Sequence, residues 1–264
     1  MSEPVFDREA RRRLAVLRHV EEVSGNVAMT CRYYGISRPA VRIVSFRPGN
    51  WGWTVAGAKD NALNCALGLT GPPSWLLWEI DADGGTATSD RGHTVRTSPF
   101  LGVIGMPPDE PGRHSTIPPR STAGGNIDCR ELTAGAILFL PVPVPGALLH
   151  LGDGHAAQGD GEVSGTAIES PMKAEVVLDI VADAPVSGLH AVTPNGRITF
   201  GFNVDLDVAM AEALAAMVTW MQWLYDVDRG TATALASTVV DMRVTQVANE
   251  TWGVHAVLAA GAIT

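Results

Sequence analysis

The stretch 75-WLLWEIDADGG-85 decides the fold class, because it joins an apolar strand to a turn. Residues 75–81 are a short apolar run rich in aromatic and branched side chains, which is typical of a β-strand. Asp83-Gly84-Gly85 is a turn signal, and Thr94 to Thr97 can form the strand that returns. The stretch therefore predicts antiparallel β-structure around it.

Further short strands extend this pattern in both directions along the chain. The chain contains 28 Gly and 17 Pro, which indicates many turns and favours a β-rich fold over a helix bundle. The alternation of apolar and polar residues is clearest at Lys173 to Val181. The other predicted strands are Val41 to Phe46, Phe100 to Met106, Ala136 to Leu140, Ala147 to Leu151 and Arg197 to Asn203.

Helices are predicted near the C-terminal end. Asp205 or Asp207 can cap a long helix. Its apolar stripe is Ala211, Leu214, Val218, Met221 and Leu224. A second helix at Thr231 to Val239 precedes strands at Met242 to Val247 and Trp252 to Leu258. We predict an α+β fold, mainly β, with a β-sandwich or barrel-like core and C-terminal helices.

Composition excludes several functional classes. The 264 residues are 46% hydrophobic with a net charge of -9, so the chain can bury a core and is a poor general ligand for nucleic acid. Cys31, Cys65 and Cys129 show no CxxC spacing and indicate no disulfide framework. The sequence shows neither the apolar core of a signal peptide nor a membrane-spanning run, so we expect no membrane partner and a cytoplasmic location.

Residues 1–39 differ from the rest because they are rich in arginine. Asp7 to Val23 predicts an amphipathic helix, and a second helix and a Gly35-Ile36-Ser37 turn follow. The segment resembles the N-terminal helix-turn-helix of insertion-element transposases, without the third helix that would enter the major groove. We predict a truncated helical fragment at 1–39 and a separate body at 40–264. A packed helical hairpin is the simpler alternative, and DNA association through this segment is a further hypothesis.

Two segments of the body are dense in residues that apolar packing does not explain. One runs from Gly112 to Arg130, at the end of a long polar loop, and the other from His150 to Glu162. The second gathers Asp153, His155, Asp160 and Glu162 among glycines. Carboxylates with imidazole are natural ligands for a divalent cation, so the residues by themselves indicate a metal or carboxylate site.

Simpler explanations remain open for these segments. Gly-Asp-Gly occurs in ordinary surface turns. Cys129 could act as a nucleophile, but one thiol is more often a small buried hydrophobe. The sequence lacks both the EF-hand spacing and a G-x-S-x-G nucleophile motif.

The body resembles the acetamidase/formamidase family. The matching motifs include His114-Ser115-Thr116-Ile117-Pro118-Pro119-Arg120, Gly124-Gly125-Asn126-Ile127-Asp128 and Gly152 to Glu162. Further matches are Pro48 to Trp53, Gly102 to Gly105, Thr166 to Glu169 and Asp241 to Val247. The resemblance implies hydrolysis of short linear amides, such as formamide or acetamide, to a carboxylate and ammonia. It also implies a divalent metal ion, zinc, in a cytoplasmic homo-oligomer.

The resemblance has one large departure. Family members carry a further N-terminal region before the Trp-Gly-Trp segment, and here the helical fragment stands in its place. We therefore expect amide hydrolysis to be reduced by at least about a thousandfold, the scale of losing one oxyanion or metal contact. The alternative is a non-catalytic gene-fusion remnant of such an enzyme.

These considerations give each candidate residue a role. The predicted metal ligands are Asp128, Asp153 and His155. The predicted catalytic residues, for proton transfer or oxyanion stabilisation, are Glu162, Asp160 and His114. The predicted substrate-binding residues are Arg120, Asn126 and Gln158. We expect the Asp128 carboxylate within about 10 Å of His155, because direct ligands lie near 2 Å from an ion, and Gln158 to be buried.

Overall fold

The computed structural model of the chain describes residues 38–58, 62–181, 186–249 and 251–264. Of the predicted helical fragment at 1–39, residues 1–37 lie outside these ranges, and Arg38 and Pro39 begin the first strand. The described strands are β1 (Arg38–Pro48), β2 (Trp51–Ala56), β3 (Ser74–Asp81), β4 (Thr86–Ser89), β5 (Thr94–Arg96), β6 (Phe100–Gly105), β7 (Gly124–Asn126), β8 (Ile137–Phe139), β9 (His150–His155), β10 (Met172–Val181), β11 (His190–Thr193), β12 (Gly196–Asn203), β13 (Val240–Gln246) and β14 (Trp252–Ala259). The described helices are α1 (Ala62–Ala66), α2 (Leu206–Tyr225) and α3 (Arg229–Val239).

The strands form three sheets, and every strand pair in the described chain is antiparallel. The largest sheet has the order β10-β1-β8-β11-β12-β14-β13, the second β2-β3-β4-β5 and the third β7-β6-β9. The α+β class, mainly β, is thus confirmed. The seven-stranded sheet runs between two different edge strands, so its described strands do not close into a barrel.

The main core lies against the large sheet and the three-stranded sheet. Alternate residues of β1 face it, and Val41 and Ile43 are 0% and 1% exposed. They pack with Ile104 of β6 and Leu138 of β8 in one cluster. This burial fixes the three-stranded sheet beside the large one, and it thereby sets where the candidate site lies.

The long C-terminal helix begins where its sequence predicts. Asp205 is the N-cap, and its carboxylate accepts hydrogen bonds from the amides of Asp207 and Val208. Met217 and Met221 of α2 pack with Ala256 and Leu258 of β14. Among the described residues, no helix combines the length and apolar character needed to cross a bilayer.

Two predicted strands differ from the structure. Thr94 to Thr97 does not return directly onto Trp75–Asp81, because β4 lies between them and pairs with both β3 and β5. The predicted strand Ala147 to Leu151 is wrong at its start, since Ala147 and Leu148 have φ of 59° and 53°, and β9 begins at His150. The strand is therefore shifted toward the glycine-rich segment, and it carries Asp153 and His155.

Candidate functional site

The site is built on the three-stranded sheet. Gly102 in the middle of β6 lies opposite Asp153 of β9, and its carbonyl accepts the amide of Asp128 just after β7. A Cβ placed on Gly102 would lie 2.5 Å from Asp128 Oδ1, 2.5 Å from Asp153 Oδ2 and 2.9 Å from His155 Cε1. Only glycine therefore leaves room for the carboxylates and the imidazole to converge here.

Backbone strain is concentrated at the same place. Six described residues other than glycine have positive φ, and three of them are Asp128 (52°), Asp153 (62°) and Glu162 (44°). Such conformations cost of the order of 1–3 kcal/mol each and persist where surrounding structure enforces them, often at functional sites. The strain turns all three carboxylates away from regular strand directions.

Five ionisable side chains converge around His155. One ligand atom each from Asp128, His155 and Glu162 lie within 4.8 Å of one another, and the same holds for Asp153, His155 and Glu169. His155 Nε2 lies 3.4 Å from Asp153 Oδ2 and 3.4 Å from Glu169 Oε2. The predicted proximity of Asp128 and His155 is thus confirmed.

Gln158 fixes the imidazole of His155. The amide nitrogen of Gln158 donates to the Asp128 carbonyl at 2.7 Å, which leaves its Oε1 to accept from His155 Nδ1 at 2.9 Å. Since Oε1 can only accept, Nδ1 carries a proton, and Nε2 is the ring nitrogen that faces the carboxylates. Gln158 was expected to be buried; it is half-buried, and both its oxygen and its nitrogen are hydrogen-bonded.

Two asparagines hold the carboxylate of Asp128. Asn126 Nδ2 and Asn249 Nδ2 donate to Asp128 Oδ2 at 2.8 Å and 3.1 Å. Asn249 is in turn placed by Gln246, whose Oε1 accepts the backbone amides of Ala248 and Asn249. This leaves Asp128 Oδ1 to face the cluster.

Burial and mutual repulsion shift the pKa values of the cluster. Burial raises the pKa of Asp128 to about 6, against the opposing effect of the His155 charge. Burial, followed by the charge of Asp128, raises the pKa of Glu162 to about 9. Burial lowers the pKa of His155, but the nearby carboxylates of Asp153 and Glu169 outweigh this effect and raise that pKa to about 11. Without a cation, protons must therefore compensate the crowded carboxylates.

Three buried atoms of this cluster support a cation. None of the described residues offers a hydrogen bond to Asp128 Oδ1, His155 Nε2 or Glu162 Oε2, although all three atoms are buried. Buried polar atoms are normally satisfied, and these three belong to side chains that ligate divalent metals. The residues present thus fit a divalent metal ion.

Three other residues predicted for the site, His114, Arg120 and Asp160, are not among the five side chains of this cluster. His114 Nε2 is paired with the Glu110 carbonyl, and Arg120 donates to the carbonyls of Ser115 and Pro118 within its own loop. Asp160 is exposed, and burial together with the charge of Glu131 raises its pKa. The roles predicted for these three residues stay predictions.

Sequence reasoning missed three contributors. Glu169 and Gly102 were visible only as parts of matching motifs, and Asn249 not at all. Glu169 reaches the cluster because an antiparallel bridge sets it beside His155. No local pattern indicates such a contact.

Two cavities are lined in part by residues of the cluster. One of about 390 Å³ is lined by Gln158, Asp160 and Glu162. The other, of about 240 Å³, is lined by Trp51, Trp53 and Glu169. A water molecule occupies roughly 30 Å³, and a small amide has the bulk of only a few water molecules. Either cavity is therefore large enough to hold such an amide.

Parts of this sequence are similar to known amide-hydrolysing proteins. An acetamidase from Mycolicibacterium smegmatis is 51% identical over 49 residues, 19% of this chain and 12% of that protein. A formamidase from Methylophilus methylotrophus is 35% identical over 102 residues, 34% of this chain and 25% of that protein. The matches therefore span only an eighth to a quarter of these curated relatives.

A solved structure extends the likeness to most of the fold. An acetamidase from Bacillus halodurans superimposes with a TM-score of 0.77 at 26% identity, covering 84% of this chain and 73% of the other. The model of the Acetamidase/Formamidase family matches residues 109–251, which include Asp128, His155, Glu162 and Glu169. More than half of the sequence, with the whole carboxylate cluster, thus matches that model, and the chain belongs to the acetamidase/formamidase family.

Proposed function

We propose that the chain hydrolyses the carbon–nitrogen bond of short linear amides, such as formamide and acetamide, with the help of a divalent metal ion, zinc. Water and the amide would yield a carboxylate and ammonia. The observation that carries the proposal is the set of three buried, unsatisfied atoms, Asp128 Oδ1, His155 Nε2 and Glu162 Oε2. Family membership supports the reaction class.

Asp128, His155 and Glu162 would hold the ion. Ligands near 2 Å from one ion lie within about 4 Å of each other, and these atoms are within 4.8 Å before any ion draws them together. A bound divalent ion would polarise an amide carbonyl and acidify water. The sequence placed Asp153 among the ligands and Glu162 as a base; the unsatisfied oxygen of Glu162 favours Glu162 as a ligand in place of Asp153.

The amide side chains position this set. Gln158 orients His155, and Asn126 and Asn249 orient Asp128. We therefore propose Asn126 and Gln158 as positioning residues in place of the substrate contacts expected from the sequence. Such outer partners fix the orientation of metal ligands and their loss typically costs 10–100-fold in affinity or activity.

Glu169 is the proposed proton carrier. The backbone amide of Ala167 holds its Oε1 at 3.0 Å, while Oε2 points toward His155 and the side chain lines the 240 Å³ cavity. A carboxylate held in this way can take a proton from the attacking water and return it to the leaving nitrogen. Substrate would enter from a cavity that is partly lined by tryptophan.

The test is ammonia release from formamide and acetamide by purified chain, with zinc content measured on the same sample. We expect activity that is removed by a chelator and restored by zinc. Glu169→Gln should lower turnover while zinc is retained, and Glu162→Gln should lose zinc. Zinc binding without ammonia release would instead identify the non-catalytic remnant. Loss of zinc in Glu169→Gln, with retention in Glu162→Gln, would reverse the two roles.

The homo-oligomer and the cytoplasmic location implied by the resemblance belong to the same proposal. Sedimentation of purified chain tests the first. A monomer with full activity would remove the oligomer from the proposal without affecting the site.

A further inference from the structure

A second cluster of metal-ligand side chains lies next to the first, but it contains sulfur. Cys129 and Glu131 follow Asp128 in the chain, and His255 lies on β14, opposite Arg243 of β13. The sulfur of Cys129, a carboxylate oxygen of Glu131 and an imidazole nitrogen of His255 lie within 4.8 Å of one another. Cys129 and His255 are both 0% exposed.

His255 directs an unsatisfied nitrogen into this cluster. Its Nε2 is buried, and no group in the described part of the chain meets it in hydrogen-bonding geometry. Glu131 Oε2 lies 3.4 Å from this nitrogen and accepts the Cys129 thiol at 3.2 Å. Thiol, carboxylate and imidazole therefore face one point.

The outer atoms of the same side chains are held by other residues. The Thr245 hydroxyl is 2.8 Å from His255 Nδ1, and Arg243 donates to Glu131 Oε1 at 2.8 Å. His255 and Glu131 thus each have one atom fixed by a partner and one atom facing the cluster. Metal-binding histidines and carboxylates are characteristically supported in this manner.

The donor set selects the kind of ion. Thiolate and imidazole with one carboxylate suit zinc and similar borderline-soft cations, and three protein ligands leave a fourth position open. Asp160 lies close enough for the charge of Glu131 to affect it, and it lines the 390 Å³ cavity.

We propose that Cys129, Glu131 and His255 form a second metal site, for a zinc-like divalent ion, distinct from the Asp128 cluster. Binding exchanges the thiol proton of Cys129 for a bond between sulfur and metal, so one proton is released to water.

The test uses a spectroscopic signal that only sulfur can give. Purified full-length chain is titrated with Co²⁺ or Cd²⁺ after treatment with chelator, and the thiolate-to-metal charge-transfer absorption is recorded together with metal stoichiometry. We expect the band in the wild-type chain and in His155→Gln, which damages the sulfur-free cluster. We expect Cys129→Ser to lose the band and about one ion per chain, while Cys65→Ser and Cys31→Ser keep both.

Thr245→Val supplies a milder variant that retains all three ligands. Its affinity for Cd²⁺ at this site should fall about 10–100-fold, as for loss of other outer partners. A folded wild-type chain without the charge-transfer band would overturn the proposal, and that result needs no variant to fold. A band that survives in Cys129→Ser would overturn it equally.

Discussion

The clusters around His155 and His255 share a design and differ in chemistry. In both, one imidazole nitrogen is held by a polar side chain, Gln158 or Thr245, and Nε2 faces buried carboxylate. The first cluster surrounds its histidine with four carboxylic acids, whereas the second provides one carboxylate, one thiol and a neighbouring arginine.

The two clusters differ in how the charge of their carboxylates is balanced. Arg243 compensates Glu131, whose pKa falls to about 2 because the nearby imidazole of His255 outweighs the effect of burial. Glu162 has no such compensation, and burial raises its pKa to about 9. The cluster that is not neutralised by its own side chains is the one that most requires a cation, and it adjoins both cavities.

Replacing the central histidine of each cluster should give the largest difference in ammonia release between the two clusters. We expect His155→Gln to reduce ammonia release by at least about a thousandfold, the upper range for loss of one electrostatic contact. His255→Gln should stay within about tenfold of wild type, provided that it folds. Initial rates with formamide, compared with circular dichroism of both variants, measure this. Equal losses in two folded variants would show that the clusters act as one site.

Filling the space at Gly102 should disturb only the first cluster. Gly102→Ala would force the Asp128 and Asp153 carboxylates apart, and a displacement of about 1 Å can cost about a hundredfold in rate. Gly152→Ala on the neighbouring strand is the matched control, since its Cβ would meet no described atom within 4 Å. Ammonia release and zinc content are the measurements. If Gly102→Ala released as much ammonia and held as much zinc as Gly152→Ala, the crowding described at Gly102 would be contradicted.

Loss of one asparagine should have a smaller effect, because two asparagines share Asp128. We expect Asn249→Ala to weaken zinc binding about tenfold, with Asn126 still donating. The double variant with Asn126→Ala should lose more than the sum of the single changes, measured as free energies of zinc binding. Strict additivity would mean that each asparagine acts elsewhere.

The smallest effect expected is on the pH dependence of stability in chelator-treated protein. The pKa of Glu162 is raised from 4.5 to about 9, so its contribution is fully present below about pH 4.5 and is lost as pH rises toward 9. Asp128 and His155 have raised pKa values and act in the same direction. The melting temperature of wild type should therefore fall between pH 5 and 9, and that of Glu162→Gln should fall less.

The contribution of Glu131 to the pH dependence of stability should have the opposite sign to that of Glu162. Its pKa is lowered from 4.5 to about 2, so its contribution is present above about pH 4.5 and is lost as pH falls toward 2. Glu131→Gln should flatten the acid side of the stability curve and leave the alkaline side unchanged. If the curves of stability against pH were parallel for Glu131→Gln and Glu162→Gln, the two clusters would titrate together.

Much of the fold could be predicted because its signals are local. The alternation at 173–181, the cap at Asp205 and the turn at 83–85 each depend on neighbours in sequence, and the structure has β10, α2 and the turn at those places. Strand pairing could not be predicted in the same way. Strand β4 is short and polar, so its position between β3 and β5 follows from hydrogen bonds across the sheet.

The sequence by itself determined the mainly β class, the family resemblance and the segments in which Asp128, His155 and Glu162 would be found. Only the tertiary structure decided that Glu169, Asn249 and Gly102 join them, and that Gln158 serves His155. Ligand geometry depends on which strands become neighbours and on where positive φ turns a carboxylate. Both are settled by packing between segments far apart in the chain, because the free energy that enforces them comes from burial of a shared core and not from any local pattern.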